Sequence, residues 1–463
     1  MLFNTAQFAV FFLVVLIGHL LLRGKWRDGW LLLASMVFYA LWIPAYLLLF
    51  LGVMAVNYVL AMAIVRGPSA KPALITSITL TLGLLAYFKY RNFFLENLAW
   101  AMGLSFPAGE IFLPLGISFY SFVIIALNVD IYRGHMTLPS LPRYMLFVMF
   151  FPHLIAGPIL RGYEFLPLLA NGAVYTQERV RRGLWLIASG LFKKVVMGDF
   201  LLAPFVNEVF ANPGVSSAPD HLAAAYSMSF QIYCDFSGYS DMARGLACLL
   251  GYELPLNFAE PYLSRNPGEF WRRWHMTLSR WLRDYLYIPL GGNRGGEVRT
   301  AVNMLITMLL GGLWHGASWN FLIWGGLHGV LLGIHRFVSR TRGEEPVRFD
   351  LSNVVRIVLM FHAATLLWIF FRAPDFGTAM TMLGTLFSTS WQGEWPVLQL
   401  AIVAFCYATH VLERLVVDRS DRIVEATRRS WSMAAAEGVA FGAVLALTVL
   451  CNGTGAAFIY FQF

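Results

Sequence analysis

Apolar stretches of about 17 to 25 residues, each long enough to cross a ~30 Å hydrocarbon core as a helix, recur along the whole 463-residue chain. They lie at roughly 6–22, 30–43, 45–65, 72–88, 111–129, 143–160, 183–205, 222–250, 300–335, 354–371, 396–417 and 434–451. The stretch 300–335 is long enough for more than one pass. With 58% hydrophobic and 13% charged residues, the chain lies outside the balance of a soluble globule. The pattern predicts an all-α polytopic membrane protein with about eleven crossings. No polar segment is long enough for a separate soluble domain, so 1–463 is expected to form a single membrane domain.

The net charge of +8 sits in short connectors between apolar segments, as a cytoplasmic-loop bias requires. No soluble module presents a basic face, which argues against nucleic acid as a partner. The lipid bilayer, with its anionic headgroups, and a phosphate-bearing substrate remain as partners for the basic residues. Arg23, Lys25 and Arg27 after the first span favour an outward N-terminus. That first span lacks a basic region before it and a small-residue cleavage site after it, so it reads as a retained helix. Pro44 marks a tight turn near the membrane surface. Cys234, Cys248, Cys406 and Cys451 show no C-x-x-C spacing, so neither a disulfide framework nor a metal site is expected. No internal repeat is visible, which weighs against the inverted-repeat build of many transporters. A transporter with an intramembrane charged path is kept as the alternative from another class.

The stretch 259–300 breaks the pattern, being too polar to span and too aromatic for an ordinary loop. On a helix it would put Trp271, His275, Leu278 and Leu282 on one face, with Arg272, Arg273, Arg280, Arg283 and Asp284 opposite. It reads as an amphipathic interfacial helix with His275 on the apolar side.

His315 lies within LLGGLWHGASWNFLIWGGLHG, where an ionisable side chain costs a few kcal/mol unless it faces protein or water. A helix-packing histidine and a site histidine both satisfy that condition. Gly311, Gly312 and Gly316 allow close approach of a ligand or departure from helical geometry. On a continuous helix His315 shares a face with Trp319, Leu322, Gly326 and Gly329, while His328 projects to the opposite side, so the two are not expected to act together. His275 could work with His315, one imidazole accepting a proton and the other orienting a substrate or holding a thioester carbonyl. Spacing alone does not decide between that pairing and two unrelated core contacts. In QIYCDFSGYSDMARGLA, Asp235 and Tyr239 one turn apart could line a cavity, or the acids could be ion-paired, with Asp241 and Arg244 as one such pair. Ser318 lies three residues after His315, but no G-x-S-x-G elbow, phosphate loop or dinucleotide fingerprint is present.

Four segments together resemble the alginate O-acetyltransferase branch of the membrane-bound O-acyltransferases. They are FFPHLIAGPILR at 150–161, DFSGYSDMARG at 235–245, EFWRRWHMTLSRWLRDYLYIPLGGNRGG at 269–296, and the 309–329 segment quoted above. The resemblance implies a ring of about eleven transmembrane helices around a central funnel, with interfacial helices. Its catalytic motifs would fall at about 150–335. It implies His315 as the central catalytic histidine and His275 as the second polar position. Acetyl-coenzyme A would be a donor substrate arriving from the cytosol, with no bound cofactor. The acceptor would be an exported polysaccharide, such as an alginate-like polymer, cellulose or peptidoglycan, outside the bacterial cytoplasmic (inner) membrane. An SGNH-hydrolase-like acetyltransferase outside the membrane and the polysaccharide export or synthesis machinery would be partners. On that mechanism Trp274 or Trp314 donates to the thioester oxygen, and Arg272, Arg273, Arg280 and Arg283 meet either the donor's phosphates or anionic lipid. Asp235 and Tyr239 are carried as possible donor contacts. Relatives of this type carry a glutamine where this chain has His153, a difference expected to affect packing only. Within the family, D-alanyl transfer toward teichoic acid from a carrier-protein thioester is the alternative.

Overall fold

In the computed structural model, residues 2–106, 109, 111–340, 350–388, 391–417 and 430–452 are described, and every regular element among them is helical. The chain opens with α1 (Ala6–Leu21), α2 (Lys25–Ala40), α3 (Pro44–Val65) and α4 (Ala70–Ala101). Pro44 occupies the first turn of α3, where its missing N–H costs nothing. Next come α5 (Ile117–Tyr132), α6 (Leu141–Met149), α7 (Gln177–Leu191) and α8 (Ala218–Leu249). The remainder holds α9 (Pro267–Arg273), α10 (Met276–Leu282), α11 (Glu297–His315), α12 (Trp319–Arg340), α13 (Leu351–Arg372), α14 (Val397–Val417) and α15 (Trp431–Leu450).

Six helices among the described residues are long and apolar enough to cross a membrane: Pro44–Val65, Ala70–Ala101, Trp319–Ser339, Leu351–Arg372, Val397–Leu415 and Trp431–Leu450. Ala6–Leu21 and Ile117–Tyr132 are apolar but shorter. The expected span at 143–160 is interrupted. Helix α6 stops at Met149, Phe150 leaves helical geometry, and Pro152 starts a four-residue helix, Phe151–Leu154. A proline cannot donate to the preceding turn, which is the physical reason for the stop. The stretch 300–335 becomes two helices, α11 and α12, in keeping with its length.

The chain divides into two compact units, Met1–Ile187 with Tyr239–Pro255, and Ala188–Gly238 with Leu256–Phe463. In the first, buried polar side chains tie four helices together. Ser77 donates to Asn57 Oδ1 at 2.6 Å, Asn128 donates to Ser77 Oγ at 2.8 Å, and Tyr144 donates to Asn128 Oδ1 at 3.5 Å. Such links hold helices together where lipid offers no hydrophobic drive between them. His153 bonds through Nε2 to the Phe147 carbonyl at 2.9 Å, a local contact within the broken segment.

In the second unit, α11 and α12 pack so closely that a Cβ on Gly312 would collide with the Phe321 carbonyl, and one on Gly325 with the Met308 carbonyl. After α7 the helix widens into a π-helix, Phe192–Leu202. Its i→i+5 geometry brings Lys194 to Asp199 at 2.8 Å, and Lys194 also meets Asp235 of α8 at 2.6 Å. All three side chains are buried.

Candidate active site

Two breaks in helical structure create the site, and both depart from what periodicity predicts. The stretch 259–300 is not one amphipathic helix. Helix α9 ends at Arg273, and His275 then adopts a left-handed backbone (φ 42°, ψ 55°) as the N-cap of α10. A non-glycine residue with positive φ is strained and needs outside support. Asn257 supplies it. Its carbonyl accepts from the Met276 amide at 2.9 Å, and its Oδ1 accepts from the Thr277 hydroxyl at 2.9 Å and the Thr277 amide at 3.3 Å. The expected segregation survives the break in part: Trp271, His275, Leu278 and Leu282 are buried and Arg272 and Arg283 are exposed, while Arg273, Arg280 and Asp284 are half-buried.

The second break follows His315. Gly316 is extended (φ −163°, ψ 153°), so α11 ends on the histidine and α12 begins at Trp319. Ser318 Oγ accepts from the Phe321 amide at 3.5 Å, a weak N-cap that accounts for this serine. The side chain of Asn320 donates to the Ala373 carbonyl at 3.0 Å, anchoring the start of α12 to the end of α13. The continuous helix expected across 309–329 is therefore a hairpin. Because the chain reverses, His315 and His328 are not on opposed sides: Trp324 touches both, with ring centres 5.1 Å from His315 and 4.9 Å from His328.

His315 is 3% exposed and His275 is fully buried, and their ring centres lie 6.5 Å apart. Trp314, Trp324 and Phe371 stand against His315 at 4.9, 5.1 and 5.3 Å. Around His275, Phe236 lies edge-on at 4.6 Å and Trp314 at 6.0 Å. Neither ring nitrogen of His275 has a hydrogen-bond partner among the described residues. The rings flanking the two imidazoles are aromatic, so a polar group brought against them is stripped of bulk water and meets imidazoles instead. His315 is the last residue of α11, at the end of the helix where its unpaired carbonyls gather.

The other sequence-singled residues are placed as follows. Trp274 packs on Phe258 at 5.0 Å and on Trp368 at 4.8 Å. Arg273 is engaged locally, donating to Glu269 at 2.9 Å and to the Ala259 carbonyl at 3.2 Å. Arg283 pairs with its neighbour Asp284 at 2.6 Å, Arg272 is exposed, and Arg280 is half-buried. Asp235 is ion-paired with Lys194, and Asp241 pairs with Arg244 at 3.4 Å. Tyr239 belongs to the first unit, where it stacks on Phe3 at 4.4 Å. Sequence reasoning did not single out Asn257, Trp324 or Phe371. Nothing in the sequence marks Asn257, while Trp324 carries one signal, its one-turn spacing from His328.

Residues 71–373 match the membrane-bound O-acyltransferase family. The probable alginate O-acetylase AlgI of Pseudomonas syringae pv. tomato is 40% identical over 431 residues, which cover 88% of this chain and 81% of that one. The peptidoglycan O-acetyltransferase of Helicobacter pylori is 37% identical over 419 residues, covering 83% and 79%. The teichoic acid D-alanyltransferase of Streptococcus thermophilus is 30% identical over 237 residues, covering 48% and 56%.

Proposed function

This chain belongs to the membrane-bound O-acyltransferase family, and we propose that it moves acetyl groups from cytosolic acetyl-coenzyme A toward an exported polysaccharide. It is an O-acyltransferase and a multi-pass membrane protein. The proposal adds the donor, the acceptor, the bacterial cytoplasmic membrane as its location, and an SGNH-hydrolase-like partner that passes acetyl to the sugar outside. It also adds a single domain in which about eleven helices ring a central funnel. The single observation carrying the chemistry is the meeting of His275 and His315 inside one aromatic enclosure, 6.5 Å ring to ring.

Transfer from a thioester to a hydroxyl requires a base for the hydroxyl and a donor to the developing oxyanion. His315 takes the hydroxyl proton as the oxygen attacks the thioester carbonyl carbon. The carbon–sulfur bond then breaks, and the imidazolium returns its proton to the departing thiolate, so His315 ends neutral. His275, or the indole N–H of Trp314 or Trp274, donates to the oxyanion. Arg272, Arg273, Arg280 and Arg283 meet the donor's phosphates at the cytosolic mouth. Arg272 and Arg283 are the exposed pair and the first to test, their replacement raising the apparent KM for acetyl-coenzyme A more than it lowers kcat. Alginate and peptidoglycan are the acceptor classes named for the relatives that cover most of this chain. The D-alanyl relative covers about half of it, which ranks that acyl group second.

The test is alkali-labile acetate on the cell-surface polysaccharide of the host, compared among the unaltered strain, a deletion, and His315→Ala at matched membrane level. Loss in both altered strains is expected, with the variant reduced on the order of a hundredfold or more. Loss in the deletion alone would make His315 a packing residue. No change in either strain would turn attention to D-alanine.

A further inference from the structure

His328 has no part in the chemistry above, yet it is costly to keep where it is. Its side chain is fully buried, and neither ring nitrogen has a hydrogen-bond partner among the described residues. The ring lies parallel to Phe270 at 5.8 Å and meets Trp271 and Trp324 edge-on at 5.1 and 4.9 Å. The indole nitrogens of Trp271 and Trp324 are likewise buried and unpartnered among the described residues. A buried polar group left without a partner costs about 1–3 kcal/mol, and an apolar ring of the same shape would avoid that cost. Four such nitrogens from three touching rings, one of those rings also touching His315, make packing alone a poor account of this cluster.

We propose that His328 is a substrate-binding residue whose imidazole, together with the indole N–H groups of Trp271 and Trp324, holds a neutral amide or hydroxyl beside His315. The chemistry of the three rings selects that class. Each indole offers one N–H donor and no acceptor, while a neutral imidazole offers one donor and one acceptor. The matching group carries acceptor lone pairs and at least one donor hydrogen, as amides and hydroxyls do. The rings in contact with His328, those of Phe270, Trp271, Trp324 and Trp368, are uncharged, so none of them offers a counter-ion to a charged group. The group can belong to the acyl donor or to the acceptor, and the assignment rests on the reading of this chain as an acyltransferase centred on His315.

The test uses full-length protein in host membrane vesicles supplemented with the host's extracytoplasmic fraction, which supplies the proposed partner, with acetyl-coenzyme A and alkali-de-esterified host polysaccharide varied in turn. His328→Phe keeps the ring and removes both nitrogens, His328→Asn keeps a donor and an acceptor, and Trp271→Phe removes only the indole N–H. In His328→Phe the apparent KM for one substrate is expected to rise about tenfold with kcat nearly unchanged, and His328→Asn to fall between it and the unaltered protein. A KM effect with acetyl-coenzyme A places the bound group on the donor, and one with the polysaccharide places it on the acceptor. If His328→Phe does not accumulate, the same rise is expected in Trp271→Phe. Unchanged KM for both substrates overturns the assignment, as does a fall in kcat alone, which would mean that His328 acts on His315 through Trp324. Absence of transfer by the unaltered protein overturns instead the acetyl-coenzyme A reading, and activity in His315→Ala overturns the base assignment while leaving a KM shift at His328 intact.

Discussion

The imidazole of His275 stands 6.5 Å from that of His315, ring centre to ring centre, with the planes inclined by 54°. Trp314 lies against both rings, and Asn257 holds the backbone that turns His275 inward. This places the support of one histidine on a loop residue and that of the other on the end of a helix, so each can be disturbed separately.

Replacing Asn257 with Leu removes the acceptor for the Thr277 amide and hydroxyl, leaving buried donors at about 1–3 kcal/mol each. His275 then loses the side-chain part of the support behind its left-handed backbone, the hydrogen bond from the Met276 amide to the residue 257 carbonyl remaining, and transfer is expected to fall on the order of tenfold to a hundredfold. The measurement is acetyl transfer together with thermal stability in detergent. A variant as active as the unaltered protein would mean that the strained conformation holds itself.

Lys194 sits between Asp199 and Asp235, at 2.8 and 2.6 Å, away from solvent. Lys194→Met leaves two buried carboxyls without their counter-charge, which should cost about 3–5 kcal/mol of stability. Adding Asp199→Asn and Asp235→Asn is expected to recover much of the loss, because neutral side chains need no cation. The readout is monodisperse protein recovered from membranes. A triple variant no better than Lys194→Met would show that charge compensation is not what the lysine provides.

The hairpin of α11 and α12 depends on glycine at its crossing. A side chain on Gly325 would run into the Met308 carbonyl, so Gly325→Val is expected to separate the helices and cost about 1–3 kcal/mol or more. Gly333, with nothing near its hypothetical Cβ, is the control, and Gly333→Ala should be tolerated. Comparable protein levels and melting temperatures for the two variants would contradict the tight crossing.

Burial pushes the Glu269 carboxyl up, but hydrogen bonds from the Arg265 backbone and side chain and the charges of Arg273 and Arg265 outweigh it, holding the group below its ordinary 4.5. A depressed carboxylate contributes stability that is fully present above 4.5 and is lost as pH falls through the lower folded value. Melting temperature against pH is therefore expected to favour the unaltered protein over Glu269→Gln at neutral pH, with the gap closing in acid below 4.5. A gap independent of pH would assign the difference to packing.

Membrane character, the aromatic and basic faces of 259–300, and the motif segments with their histidines were legible in the chain itself, because run length and periodicity are local properties. Periodicity also assumes that a helix continues, and here that assumption failed at the decisive places. It failed at His275, where Asn257 stabilises a left-handed turn, and at Gly316, where the chain reverses. It therefore assigned His328 to the far side of a helix that does not exist as one piece. Which histidines share an enclosure depends on contacts among α8, α10, α11, α12 and α13, between residues far apart in sequence. No pattern within one segment encodes such contacts. Only the packed tertiary structure joins His275 to His315 through Trp314, and His315 to His328 through Trp324.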